Sequence, residues 1–215
     1  MKLFLDTAEV AQVREAWSWG IIDGVTTNPS HVAKSGRKPR EVYREICDIV
    51  DGPISLETVA LEAGAIVKEG KQLAKIHKNV VIKVPIIKEG LKAVKILAAE
   101  GYKTNVTVTF SPLQALLAAK VGATYVSPFV GRLDAIGHDG MELTRQIKTI
   151  YRNYGFTTQI ITAAARHPLH VLQAALAGSD VVTASFDILE QLYQHPLTDA
   201  VLDQFLKAWA SIPVK

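Results

Sequence analysis

Lys83 lies in the run VVIKVP (80–85), a β-branched apolar stretch with no acidic residue beside it. A lysine in such a place is rarely structural unless a carboxylate pairs with it, because an ammonium is costly to bury. One reading is therefore an interior ion pair with Glu57. The other is an amine that burial keeps uncharged at neutral pH and hence nucleophilic toward a carbonyl carbon. Such an amine forms an imine, and the imine draws electrons from a nearby carbon–carbon bond so that it can break. The reaction needs proton carriers, and Glu57 and Asp6 are the carboxylates at the ends of neighbouring strand candidates. Thr107 can hold a bridging water, and Asn28 and Asn105 can hydrogen-bond hydroxyl groups without adding charge. Arg132, in SPFVGR, and Arg166, in TAAARHP, each follow a strand candidate. An arginine binds phosphate through two parallel bonds. Taken singly, either would be read as a solvated surface side chain; the two together suggest an anion site.

These residues must be positioned by something regular. Eight short β-branched runs qualify as strands: 2–6, 24–28, 54–59, 80–85, 104–110, 125–130, 159–164 and 181–186. Each is followed by a segment that can be helical. The clearest is 141–154, where Ile147, Ile150, Tyr151 and Tyr154 share a face and Gly155 stands at the C-terminal cap. Leu91, Val94 and Ala98 repeat the pattern in the fourth unit. Alternating strands and helices require a parallel sheet with right-handed crossovers. Eight repeats, with no linker between them, predict a closed (β/α)8 TIM barrel in a single domain spanning 1–215. The eighth helix is short, at about 187–194. A further C-terminal helix is expected at about 197–212, with Val201, Leu202, Phe205, Trp209 and Ile212 as its apolar stripe. That stripe could fold back on its own barrel or dock on a neighbouring subunit.

Strand side chains alternate between two faces. Several strands carry polar residues on one face: Thr26 and Asn28; Ser55 and Glu57; Asn105, Thr107 and Thr109; Ser127 with Phe129. Lys83 shares its parity with Val81, and Asp6 ends the first strand. Val106, Val108 and Phe110 should point the other way. In a parallel barrel the outside is covered by helices, so outward residues must be apolar and the polar set must face inward. Near the C-terminal strand ends that set is an active site.

Other classes of function fit poorly. The chain has 215 residues and a net charge of only +3, with no basic run interleaved with aromatics, which argues against nucleic acid. No stretch approaches ~18 uninterrupted apolar residues, so no membrane span is expected. The N-terminus MKLFLDTAEV is broken by Asp6 and does not read as a signal peptide, which makes the cytoplasm the expected compartment. Cys47 is alone and sits in a helical pattern, as a buried structural thiol would. His167 and His170 are three apart but have no carboxylate or thiol near them in sequence, so no metal site is assigned. Gly131 and Gly137 lack dinucleotide-binding spacing. Trp17 and Trp19 read as packing residues, and no role is assigned to His31, His77, His138 or His195.

The segments FLDTA (4–8), GVTTNPS (24–30), IKVP (82–85), EGYKTNVTVTFSP (100–112), GATYVSPFVGRLD (122–134) and ARHPLHV (165–171) resemble the transaldolases. More narrowly, the chain is similar to the short microbial branch that also holds the fructose-6-phosphate aldolases. The resemblance implies a cofactor-free, metal-free aldol transfer between sugar phosphates. Fructose 6-phosphate and sedoheptulose 7-phosphate would be the donors, with erythrose 4-phosphate and glyceraldehyde 3-phosphate as acceptors. It implies Lys83 as the Schiff-base lysine, Glu57 and Thr107 as holders of the catalytic water, and Asp6 as the acid–base at the C4 hydroxyl. Asn28, Asn105 and Ser127 would position the dihydroxyacetone moiety, Thr26 and Phe129 would also contact substrate, and Arg132 and Arg166 would take the phosphate. Aldolase-like members carry Gln where this chain has Glu57 and Tyr where it has Phe129, so the resemblance favours transfer over release of free dihydroxyacetone. At Ala164-Ala165-Arg166 a serine of the usual pattern is missing, which should weaken phosphate binding. A homo-oligomer, a pentamer or decamer joined by C-terminal helices, is also implied. Two alternatives stay open: an aldolase that releases dihydroxyacetone, and a sugar-phosphate-binding barrel without catalysis.

Overall fold

The computed structural model describes residues 1–213; Val214 and Lys215, the end of the expected domain span, lie outside the described residues. Eight parallel strands close into a barrel in sequence order. They are β1 (Lys2–Asp6), β2 (Gly24–Thr26), β3 (Ile54–Glu57), β4 (Val80–Pro85), β5 (Thr104–Thr109), β6 (Tyr125–Pro128), β7 (Gln159–Thr162) and β8 (Val181–Ala184). β8 pairs back onto β1 through Lys2 opposite Val181 and Phe4 opposite Thr183, which closes the ring. Most strands stop one or two residues earlier than their apolar runs. The runs continue into the loops that form the upper rim.

The helices are α1 (Val10–Ser18), α2 (Pro29–Ser35), α3 (Pro39–Ile49), α4 (Ala63–Ala74), α5 (Lys88–Ala99), α6 (Pro112–Lys120), α7 (Val130–Asp134), α8 (Gly140–Tyr154), α9 (Pro168–Leu176), α10 (Phe186–Gln191) and α11 (Pro196–Ala210). Their starts are written locally. Ser111 and Gln114 form a reciprocal capping box at α6, and the Asp139 carboxylate caps α8. α8 ends at Gly155, whose φ of 65° releases the chain from the helix.

Two apolar layers surround the ring. In one, Leu5, Val25, Leu56 and Val182 pack outward against α1, α3 and α9. In the other, Ile82, Val84, Val106, Val126 and Ile160 pack against α4, α5, α6 and α8. Inward residues of the opposite parity form a separate plug of Phe4, Val81, Tyr125, Ile161 and Val181. Two residues further along the same strands stand Asp6, Lys83, Ser127, Ala163 and Thr183. The interior is therefore apolar below and polar above, because each inward side chain alternates with an outward one that meets a helix.

One strand departs from simple alternation. The β5–β6 register shifts between Val106 and Thr109, and Val108 takes a left-handed φ of 61°. The expectation that Val108 points away from the interior is thereby corrected: the bulge turns it into the cavity described below. Cys47 is buried in α3, as expected, and burial pushes its thiol up to about 11. Among the described residues no helix is long and apolar enough to cross a membrane. No residue of α11 is buried, so this helix does not fold back on its own barrel.

Candidate active site

The C-terminal strand ends surround a cavity of about 700 Å³. Asp6, Thr26, Asn28, Glu57, Lys83, Ser127 and Phe129 line it, and so do Arg132 and Arg166. Nine of the eleven expected site residues therefore meet in one place, drawn from six strands and the loops after them. Register brings the central pair together, since Glu57 on β3 lies directly opposite Lys83 on β4.

Lys83 is only 4% exposed. Its Nζ lies 2.9 Å from Glu57 Oε2 and donates to the Thr27 carbonyl at 3.0 Å. The interior ion pair weighed against a catalytic amine is thus present. It does not seal the lysine away, because both partners face the cavity. Removing either partner of a buried pair strands the other charge, and such losses cost about 3–5 kcal/mol.

Asp6 accepts a hydrogen bond from Thr26 Oγ1 at 2.8 Å, and Thr26 in turn meets Thr183 Oγ1 at 2.6 Å. Asn28 does two jobs. Its Oδ1 caps α2 by accepting from the His31 amide at 2.9 Å, and that bond aims its Nδ2 at the His31 ring, 3.1 Å from Nδ1. His31 Nδ1 is also 3.7 Å from Asp6 Oδ1.

Asn105 and Thr107 are fully buried and stand outside the cavity lining. Asn105 donates to Ser55 Oγ at 3.1 Å and accepts from Ser127 Oγ at 2.8 Å, which ties β3, β5 and β6 together. Of this pair, Ser127 lines the cavity and Asn105 stands behind it. Thr107 Oγ1 has no hydrogen-bond partner among the described residues. A buried hydroxyl of that kind ordinarily finds a water or ligand. Phe129, beyond the end of β6, bridges to Ala163 and meets Phe110 edge-on, with ring centroids 5.9 Å apart.

Several lining residues escaped the sequence reading: His31, Lys34, Val108, Thr183, Asp187 and Gln191. Thr183 carried the same signal as the others, a polar residue of inward parity in an apolar strand. His31 and Lys34 follow Asn28 at spacings of three and six on a helix, but nothing in the chain marks that face as the one over the ring. Among the described residues, no group of three or more His, Cys, Asp or Glu could hold a metal ion. His167 and His170 stack with centroids 3.8 Å apart, and His170 meets a carboxylate distant in sequence, Asp134, at 2.7 Å.

Residues 3–212 match the family model described as Transaldolase/Fructose-6-phosphate aldolase. The chain is 61% identical over 213 residues to a "Probable transaldolase" of Dictyoglomus turgidum, covering 99% of this chain and 100% of that one. It is 59% identical to a protein of the same description from Caldicellulosiruptor saccharolyticus, over the whole of both chains. A third, from Aquifex aeolicus, is 57% identical over 100% of this chain and 99% of its own. Among solved structures, the carboxyl transferase domain of Rhizobium etli pyruvate carboxylase with 3-bromopyruvate aligns with a TM-score of 0.62 at 14% identity. That alignment covers 86% of this chain and 39% of that one, and speaks to the barrel fold alone.

Proposed function

The chain belongs to the transaldolase/fructose-6-phosphate aldolase family, and from that premise we propose that its cavity transfers a dihydroxyacetone unit between sugar phosphates through a Schiff base on Lys83. The observation that carries this reading is the Lys83 amine, buried yet facing the cavity, 2.9 Å from the Glu57 carboxylate.

The short separation lets Glu57 take a proton from the ammonium and free the nitrogen lone pair. The amine adds to the C2 carbonyl of a ketose phosphate. Glu57, acting through a water held with Thr107, returns a proton to the departing hydroxyl, and an iminium forms with loss of water. Asp6 takes the proton of the C4 hydroxyl. The C3–C4 bond breaks, its electron pair moves into the iminium to give an enamine, and the aldose phosphate leaves. An incoming aldehyde accepts that electron pair, Asp6 returns the proton to the new hydroxyl, and water releases the product from Lys83. Ser127 and Asn28 would hold the hydroxyls of the three-carbon unit, with Asn105 orienting Ser127. Arg132 and Arg166 would hold the phosphate. Fructose 6-phosphate and sedoheptulose 7-phosphate are the proposed donors, and erythrose 4-phosphate and glyceraldehyde 3-phosphate the acceptors, in the cytoplasm.

Phe129 favours transfer over release. It lines the cavity without a hydroxyl, so it offers the enamine no proton. We also propose a homo-oligomer, a pentamer or decamer, whose contacts use the exposed apolar face of α11.

The test is direct. Borohydride reduction in the presence of fructose 6-phosphate should leave a covalent adduct that mass spectrometry locates at Lys83. Turnover of fructose 6-phosphate should then depend on adding erythrose 4-phosphate. An unmodified chain would leave a binding-only barrel, and rapid turnover without acceptor would make the enzyme an aldolase.

A further inference from the structure

We propose that His170 is a positioning residue for the phosphate end of the site, locking the loop that bears Arg166 against the short helix that bears Arg132. The inference rests on the reading of those two arginines as phosphate ligands. His170 lies on α9 and is 3% exposed. Its Nδ1 accepts the backbone N–H of Arg166 at 3.1 Å. That assigns the ring proton to Nε2, which lies 2.7 Å from Asp134 Oδ2 and donates to it. The other oxygen of Asp134 accepts the Gly140 amide at 2.8 Å, which fixes the carboxylate in turn. One imidazole thus joins the main chain at Arg166 to the last residue of α7, two positions after Arg132.

The loop needs such a fastening. Ladder-like bonding from β6 to β7 ends at Ala163, whose N–H donates to the Pro128 carbonyl at 2.9 Å and whose carbonyl accepts from Val130 at 3.1 Å. Ala164 then enters the left-handed region with a φ of 57°, where a residue with a Cβ rarely rests. Beyond it the Arg166 side chain lies directly on α7. A Cβ at Gly131 would stand 2.6 Å from Arg166 Cγ and would collide with the Ala164 carbonyl. Close approach at Gly131 and the imidazole bridge at His170 therefore hold one loop from two sides. Burial, with His167 adding to it, lowers the pKa of His170 against the opposing pull of Asp134, so the ring is neutral near pH 7 and Nδ1 is free to accept.

A positioning role separates the phosphate from the chemistry. kcat and KM are measured with fructose 6-phosphate and with fructose, using unphosphorylated D-erythrose as acceptor for both, so that each donor gives sedoheptulose and a released three-carbon aldehyde. His170→Leu should raise KM for fructose 6-phosphate about tenfold, the effect of losing one well-placed contact, with kcat held and the fructose parameters unchanged. His170→Asn, which keeps an acceptor for the Arg166 amide, should recover most of the loss. Asp134→Ala, a change at a more exposed residue, should move KM in the same direction by less. Calorimetric titration with inorganic phosphate should show the same order of affinities whether or not turnover is seen. Equal losses with both donors, or phosphate affinity unchanged in His170→Leu and Asp134→Ala, would overturn the inference. An absent Lys83 adduct in the unaltered enzyme would instead overturn the catalytic reading, leaving the phosphate titration to judge His170.

Discussion

Ala164 shows how much one side chain can decide at this site. It lines the cavity beside Arg132 and Arg166 and carries no hydrogen-bonding group. Its left-handed φ of 57° is imposed by the loop and would be equally demanding for serine. Ala164→Ser therefore changes little in stability while adding one hydroxyl near the proposed phosphate site. A hydrogen bond to a charged group contributes about 1.5–3 kcal/mol. KM for fructose 6-phosphate should fall by about tenfold, with kcat nearly unchanged, as steady-state assays would show. Unaltered KM would mean that residue 164 does not face the phosphate. The position is a cleaner probe than Glu57, where a substitution confounds lost proton transfer with an unpaired buried lysine. Lys83 itself was legible because an ammonium within a β-branched run has few harmless explanations. Its ion pair was legible only as one of two choices, because the sequence carries no record of how strands register.

At the scale of elements, α2 links folding to the proposed chemistry through Asn28. The residue caps the helix with Oδ1, turns Nδ2 to the His31 ring, and lines the cavity together with His31 and Asp6. Aspartate is as good a cap as asparagine, and its charge suits a helix N-terminus. Asn28→Asp should thus leave stability within ~0.5 kcal/mol, yet the added negative charge beside Asp6 should cut kcat by tenfold or more. Asn28→Ala should lose about 1 kcal/mol as well as activity. Thermal unfolding together with kcat separates the two roles, and a fully active Asn28→Asp enzyme would remove Asn28 from the site. β5 shows where element-level reading stops. Its alternation placed Asn105, Thr107 and Thr109 inward, and all three are buried. The bulge that swings Val108 into the cavity has no glycine or proline to announce it, so strict period-two counting misplaced that residue.

At the scale of the whole molecule, α11 is a helix with no buried residue. Phe205 is 67% and Trp209 75% exposed, and Leu197, Leu202 and Leu206 are more than half exposed. An exposed apolar face of that kind is what the proposed association would cover. Light scattering on the purified protein should give a multiple of the 23.4 kDa chain mass. The double substitution Phe205→Glu, Trp209→Glu should shift it toward the monomer while far-ultraviolet circular dichroism stays unchanged, because neither side chain is buried in its own barrel. An assembly that survived both charges would place the contacts elsewhere.

Taken alone, the sequence determined the barrel, its eight-fold alternation and most of the inward polar set. Those features follow from periodicities that each strand and helix carries locally. Tertiary structure decided that Glu57 stands against Lys83, that Asn105 braces Ser127 rather than lining the cavity, that α11 leaves its own barrel, and that Asp134 meets His170. Each of these depends on register, on a bulge or on the approach of elements far apart in the chain. Distances of that kind are set by closure of the ring, which no local pattern encodes.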